Sequence, residues 1–234
     1  MAAIEAARVV RRRARRMLKE PIMPILDEII QARRTTRSFS DEFPPPDQIE
    51  QIILAGWLAP YAASTLVDSR DFRHFYVFRR GGQDLTKISA LMQAEARLRL
   101  ETVQQNVAAN RLAVAEAAPF MKRLEFIANQ GLLGPGAAPY FIVVSETKGF
   151  PPVEQMSLAH CLQNMWLKAT ELGLAFRLFT MTSEMLCNSQ FCDLLKVSSD
   201  AYGVNGCAVG YARGEPPTRV SRGFDAARLI TEMA

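Results

Sequence analysis

Histidine and cysteine are scarce in this sequence and long apolar runs are missing; each shortage closes off a class of function. Only two histidines, His74 and His160, occur in 234 residues, and they lie far apart in the chain. The four cysteines, Cys161, Cys187, Cys192 and Cys207, include no CxxC pair. A disulfide framework and a zinc site therefore both lack their parts, no metal is expected, and a reduced, cytoplasmic setting fits best. No apolar run approaches the roughly 18 residues of a membrane span, which predicts a soluble protein. Also missing are a GxSxG elbow, a GxxxxGK[ST] loop, an HExxH pair and a GxGxxG turn after a strand. The stretch Gly131-Leu132-Leu133-Gly134-Pro135-Gly136 has the wrong order for a dinucleotide loop and precedes a strand, so it reads as a plain loop. His160, on an apolar helical stretch, reads as a core or interface histidine and not as a general base, and His74 in a strand is discounted in the same way. No protein side chain stands out as catalytic. Either a cofactor supplies the chemistry or the chain is not an enzyme.

What is present is ordinary globular composition, 49% apolar and 22% charged, which excludes disordered and collagen-like chains. The length suits one domain, with room for a helical insertion. The net charge of +4 is unevenly spread. Residues 1–20 carry seven basic side chains (Arg8, Arg11, Arg12, Arg13, Arg15, Arg16 and Lys19) against Glu5 and Glu20. Of the 28 basic and 24 acidic side chains, that leaves 21 and 22 for the body. Such a basic arm has the chemistry to touch nucleic acid or an anionic membrane. A solvated arm or an oligomer contact is the preferred reading, and no apolar stretch of about 7–15 residues follows it to make a secretory signal.

Periodicity predicts the elements in order. Residues 25–33 form a helix, and Pro44-Pro45-Pro46 introduces a second over 47–58, stopped by Pro60. Residues 72–78 are aromatic and β-branched, as in a strand. Residues 85–118 contain neither Gly nor Pro and read as one long helix, exposed or between subunits. Pro119 is expected to begin another helix to residue 129. Tyr140-Phe141-Ile142-Val143-Val144 reads as a buried strand, and residues 153–172 as a central helix closed by Gly173. A strand over 174–181, a helix capped by Ser183 and running to Lys196, and a strand over 206–211 complete the pattern. The strand connections are mostly too long for hairpins, so the fold class is α+β: a central mixed sheet flanked by helices.

The cluster Arg33-Arg34-Thr35-Thr36-Arg37 is the best binding signal, because guanidinium groups and a hydroxyl at a helix end suit a phosphate. Arginine at a helix C-terminus also simply complements the dipole, and on composition alone that plainer reading wins. A wider pattern changes the balance. Arg33-Arg34-Thr35-Thr36-Arg37-Ser38-Phe39, with Pro-rich residues and a helix ending in Ala59-Pro60, resembles the opening of the FMN-dependent nitroreductase superfamily, R-R-S-x-R-x-F and then A-P-S. Asn164 to Leu174, ending Ala169-Thr170-Glu171-Leu172-Gly173-Leu174, is similar to that family's central helix. Cys207-Ala208-Val209-Gly210-Tyr211, then Pro216-Pro217 and Arg222, resembles its closing V-x-G-Y strand and trailing arginine. The matches occur in order over about residues 25–228. The family's Q-P-W motif is absent; Asp71-Phe72-Arg73 stand in its place.

The resemblance implies a nitroreductase-like fold in residues 21–234, an intertwined homodimer, and FMN bound between subunits. Arg33, Arg34, Thr35 and Arg37 match positions contacting the phosphate, ribityl chain and flavin edge. Arg222 matches the second phosphate contact, with Arg219 beside it as a further candidate. Pro60, Tyr61, Ala62 and Ala63 match a loop that approaches the ring from the partner subunit. Phe179-Thr180-Met181 matches a stretch whose backbone faces the ring. The helical stretch at about 85–130 occupies the place where subfamilies insert substrate-shaping helices. The implied activity is NAD(P)H-dependent reduction of nitroaromatic, quinone or similar electron-poor acceptors by a ping-pong mechanism. Two alternatives stay open: an enzyme of this fold that uses reduced FMN for flavin destruction or reductive dehalogenation, and a non-enzymatic flavin-binding protein.

Overall fold

The run Tyr140-Phe141-Ile142-Val143-Val144 is apolar at every position because both of its faces are covered. It lies in strand β2 (Tyr140–Thr147), which pairs antiparallel with β1 (Arg73–Arg79) on one side and β4 (Tyr202–Gly210) on the other. Strand β3 (Ala175–Leu178) pairs antiparallel with β4, giving the order β1-β2-β4-β3. Side chains alternate between the faces of a strand. Tyr140, Ile142 and Val144 accordingly join one apolar cluster with Ile49 and Ile52 of helix α2 (Pro46–Trp57) and Leu158, Leu162 and Met165 of α5 (Glu154–Glu171). Phe141 and Val143 join a second cluster on the opposite face. There they meet Leu85, Ile88 and Met92 of α3 (Gln83–Ala108), Leu124 and Ile127 of α4 (Val114–Gln130), and Phe191 of α6 (Ser189–Leu195). A sheet buried on both faces leaves β2 no polar alternation. The fold is α+β, as the sequence predicts. The sheet itself is antiparallel throughout the described strands and not the mixed one expected, because each pair of neighbouring strands runs in opposite directions. Among the described residues, parallel pairing occurs only at the bridge of Thr35 with Phe176 beside β3.

The computed structural model describes residues 25–62, 72–215, 223 and 225–233. The basic arm, Ala63, Arg219 and Arg222 lie outside the described residues. The chain divides into two compact units, Met1–Arg33 and Arg34–Ala234. In the first, the described element is helix α1 (Ile25–Ala32), whose Leu26 and Ile30 are exposed. The second contains the sheet, the helices named above and a short C-terminal helix, α7 (Ala226–Leu229). Among the described residues, no helix is long and apolar enough to cross a membrane. Helices α2 and α5 approach closely at Gly56, where a Cβ would stand 2.7 Å from Cγ of the fully buried Met165 and 3.0 Å from Sγ of Cys161. Glycine here is a packing requirement.

Several boundaries differ from the sequence reading. The helix expected over 85–118 ends at Ala108, because Asn110 takes a left-handed conformation (φ 54°) and turns the chain; asparagine tolerates that region better than most residues. Pro119 does not start a helix but lies inside α4, interrupting one ladder bond near its N-terminal end. The strand expected over 174–181 stops at Leu178, and Thr180–Cys187 coil into a 3₁₀ stretch. Ser183 is therefore inside that stretch; Asn188 caps the next helix, its side-chain oxygen accepting from the Phe191 amide at 3.1 Å. His160 is exposed and does not enter the core, and His74 is exposed beside Tyr76, ring centroids 4.6 Å apart.

Candidate functional site

The segment after α1 is stitched to the edge of the sheet. The Thr36 amide donates to the Phe176 carbonyl at 3.1 Å, and the Trp166 indole Nε1 on α5 donates to the Arg34 carbonyl at 3.1 Å. Trp166 also stacks on Phe176, centroids 5.2 Å apart and 20° between the planes. These contacts fix Thr35 and Arg37 in the wall of a cavity of about 620 Å³, which is also lined by Phe126 of α4, Trp166, Arg177 of β3 and Thr180. A volume of this size falls within the range of small-molecule and cofactor sites.

The cavity is strongly cationic. Arg37, Lys122, Arg123 and Arg177 line it, and among the described residues no carboxylate does. Arg123 Nη2 donates to Thr180 Oγ1 at 3.4 Å. The half-buried Arg177 guanidinium lies 4.6 Å from the Phe179 ring centroid and 5.8 Å from that of Phe126. Burial, then the like charges of Arg123 and Arg37, hold the Arg177 pKa below the usual guanidinium range. Arginine stays charged under such a shift, so the cluster is a positive site ready for an anion. Phe179, next to Thr180 in the chain, is buried, its ring edge-on to Phe141 and its amide donating to the Gly206 carbonyl at 2.8 Å.

A second, fully buried polar centre holds the loop after α2. Arg73 and Glu146 are direct cross-strand partners in β1 and β2, with Nε 2.5 Å from Oε1 and neither side chain exposed. The Arg73 Nη1 donates to the carbonyls of Gly56 (2.6 Å), Trp57 (3.1 Å) and Ala59 (3.0 Å), capping the end of α2, and Nη2 reaches Ser157 Oγ at 3.3 Å. Tyr61 donates its hydroxyl to the Thr147 carbonyl at 2.7 Å and packs on Phe72. Burial, with Glu146 and Glu154 nearby, pushes the Tyr61 hydroxyl pKa up. Burial likewise raises that of Glu146, against the pull of Ser157 and Arg73.

The family model described as the nitroreductase family matches residues 30–211. The chain belongs to the nitroreductase family. Among solved structures it is similar to the nitroreductase with bound FMN from Bacteroides fragilis NCTC 9343 (TM-score 0.61, 19% identity, 89% of this chain and 98% of that one). It is also similar to the nitroreductase with bound FMN from Desulfitobacterium hafniense DCB-2 (TM-score 0.60, 20% identity, 89% and 98%). A BluB-like flavoprotein from Clostridium difficile 630 aligns at TM-score 0.61 and 18% identity, over 89% and 99%. At these identities the likeness is one of fold. No curated protein matches the sequence.

Within this nitroreductase-family chain, the residues expected at the site separate into groups. Thr35, Arg37 and Thr180 meet around this cavity; Phe179 is buried and does not line it. Arg33 closes α1 in the first unit, its amide donating to the Ile29 carbonyl at 2.9 Å, and Arg34 begins the second, half-buried. Pro60, Tyr61 and Ala62 do not line the cavity; they sit on the loop held by Arg73. Sequence reasoning missed Lys122, Arg123, Trp166 and Arg177. The one available signal was Arg177, an unexplained charge inside the apolar strand Ala175–Leu178. Among the described residues, no group of three or more His, Cys, Asp or Glu side chains is arranged to hold a metal ion.

Proposed function

We propose that this chain is a cytoplasmic FMN-dependent oxidoreductase that uses NAD(P)H to reduce nitroaromatic, quinone or similar electron-poor acceptors, acting as a homodimer. The observation that carries the reading is the convergence of Thr35 and Arg37, from the family's opening motif, with Thr180 and Trp166 around one cationic cavity of about 620 Å³. The residues present fit the cofactor. Arg37 and the Thr35 hydroxyl suit a phosphate and a polyol chain, the cavity is large enough for a flavin, and Trp166 offers an apolar wall to a flat ring. Two relatives of the same fold are described with bound FMN.

Arg33, Arg34, Thr35 and Arg37 then hold the phosphate and ribityl end, joined by Arg222 and Arg219. The backbone of Phe179 and Thr180 lies along the ring, and Pro60, Tyr61, Ala62 and Ala63 approach from the partner subunit. When bound, FMN supplies the hydride transfer that links NAD(P)H to the acceptor in two half-reactions. The protein's part is to orient the ring and to stabilise negative charge with fixed cations, so no side chain is needed as a nucleophile. Exposed apolar side chains on α2 (Leu54 and Trp57) and just after it (Leu58) favour a partner subunit.

Arg222→Ala tests the phosphate assignment. At roughly 1.5–3 kcal/mol per charge-assisted hydrogen bond, and about 1.4 kcal/mol per tenfold in affinity, FMN binding should weaken about 10- to 100-fold. Riboflavin, which has no phosphate, should bind the variant almost as well as the wild type. Equal FMN affinity in both proteins would remove Arg222 from the site.

A further inference from the structure

The proposed FMN assignment leaves part of the cavity's charge unexplained. If the cofactor phosphate is held by the segment after α1 together with Arg219 and Arg222, then Lys122, Arg123 and Arg177 still face the same space, whose lining among the described residues includes no carboxylate; Glu184 shares with Arg123 only the neighbouring cavity. They come from α4 and β3, not from the phosphate-binding segment. Their position follows from contact. Arg123 donates to Thr180, in the stretch assigned to the ring face, while Arg177 lies between the rings of Phe179 and Phe126. Like charges gathered around a partly closed space repel one another, and an anionic guest relieves that repulsion while gaining charge-assisted hydrogen bonds. With Trp166 given to the flavin, Phe126 of α4 suits a flat aromatic acceptor.

We infer that Lys122, Arg123 and Arg177 select acceptors carrying a carboxylate or like anion on an electron-poor aromatic ring, the anion lying against the two guanidinium groups and the ring against Phe126. This inference rests on the FMN reading for the location of the flavin, yet it is separable by experiment. Specificity is a difference between affinities, so a matched acceptor pair reads it directly.

The test compares 4-nitrobenzoate with its neutral counterpart 4-nitrobenzamide on the FMN-loaded protein. The wild type should favour the anion in kcat/KM by about tenfold at low salt, the preference shrinking as ionic strength rises. In Arg123→Gln and Arg177→Gln the ratio of the two kcat/KM values should fall by at least about fivefold, and calorimetric affinity for 4-nitrobenzoate should fall with it. Arg123 is exposed on its helix, so its replacement leaves the fold intact even where Arg177→Gln does not. A ratio that changes by less than about fivefold in Arg123→Gln overturns the inference. So does selective loss of FMN but not riboflavin affinity, which would give the cluster to the cofactor phosphate. A protein that takes up no FMN defeats the functional reading instead. The calorimetric comparison of the two ligands then still decides this one, with equal affinities counting against it.

Discussion

Arg73 gives almost all of its hydrogen-bonding capacity to a carboxylate and the end of a helix, with no exposure to water. Removing one member of such a pair strands the other's charge in the interior. Arg73→Ala should therefore cost about 3–5 kcal/mol in equilibrium denaturation and release the Pro60–Tyr61 loop, whereas Arg73→Met combined with Glu146→Leu should recover much of the loss. A cost below about 0.5 kcal/mol for Arg73→Ala would mean that water reaches the pair. The thiols give a second check at this scale. Burial pushes the Cys161 thiol up to about 12 and that of Cys207 well above its ordinary value, while Cys187 is exposed. The thiolate is the reactive form. An aromatic disulfide reagent at mildly alkaline pH should label Cys187 quickly and leave Cys161 and Cys207 silent until unfolding; rapid labelling of either would contradict their burial. The Arg73–Glu146 pair was illegible in the sequence because it depends on strand register across 73 positions. The meeting of Thr35, Arg37 and Thr180 was legible, though only through an ordered family pattern and not from charge spacing alone.

At the scale of elements, Gly56 marks the seam between α2 and α5. Gly56→Ala gains about 0.5–1 kcal/mol of helix preference but forces a methyl against Met165 and Cys161, an overpacking cost of about 1–3 kcal/mol. The collision should win, lowering the denaturation midpoint; a raised midpoint would show that the helices have room. The apolar run in β2 and the Pro-led start of α2 could be read directly, since each follows from a local pattern. The break after Ala108 could not. It hangs on one asparagine in a left-handed conformation, in a stretch whose Ala, Leu, Glu and Gln content favours uninterrupted helix. The early end of β3 was hidden similarly. Phe179-Thr180-Met181 has strand-like composition, but Met181 and Met185 turn into the core under α3 and α4, so packing overrides propensity.

For the molecule as a whole, the proposed function draws on a second copy: on one chain Pro60, Tyr61 and Ala62 do not line the cavity at Arg37, and the proposal has them reach the flavin from the partner subunit. A permanent homodimer burying more than about 2,000 Å² is expected. Sedimentation should show a dimer at micromolar concentration with flavin bound; a folded, flavin-loaded monomer would remove the shared-site arrangement. The central claim is the cofactor, and the visible absorbance spectrum of the purified protein tests it most directly. The account predicts flavin bands that persist through desalting and a released chromophore that is FMN. A colourless protein that gains no flavin absorbance when incubated with FMN and desalted would contradict it.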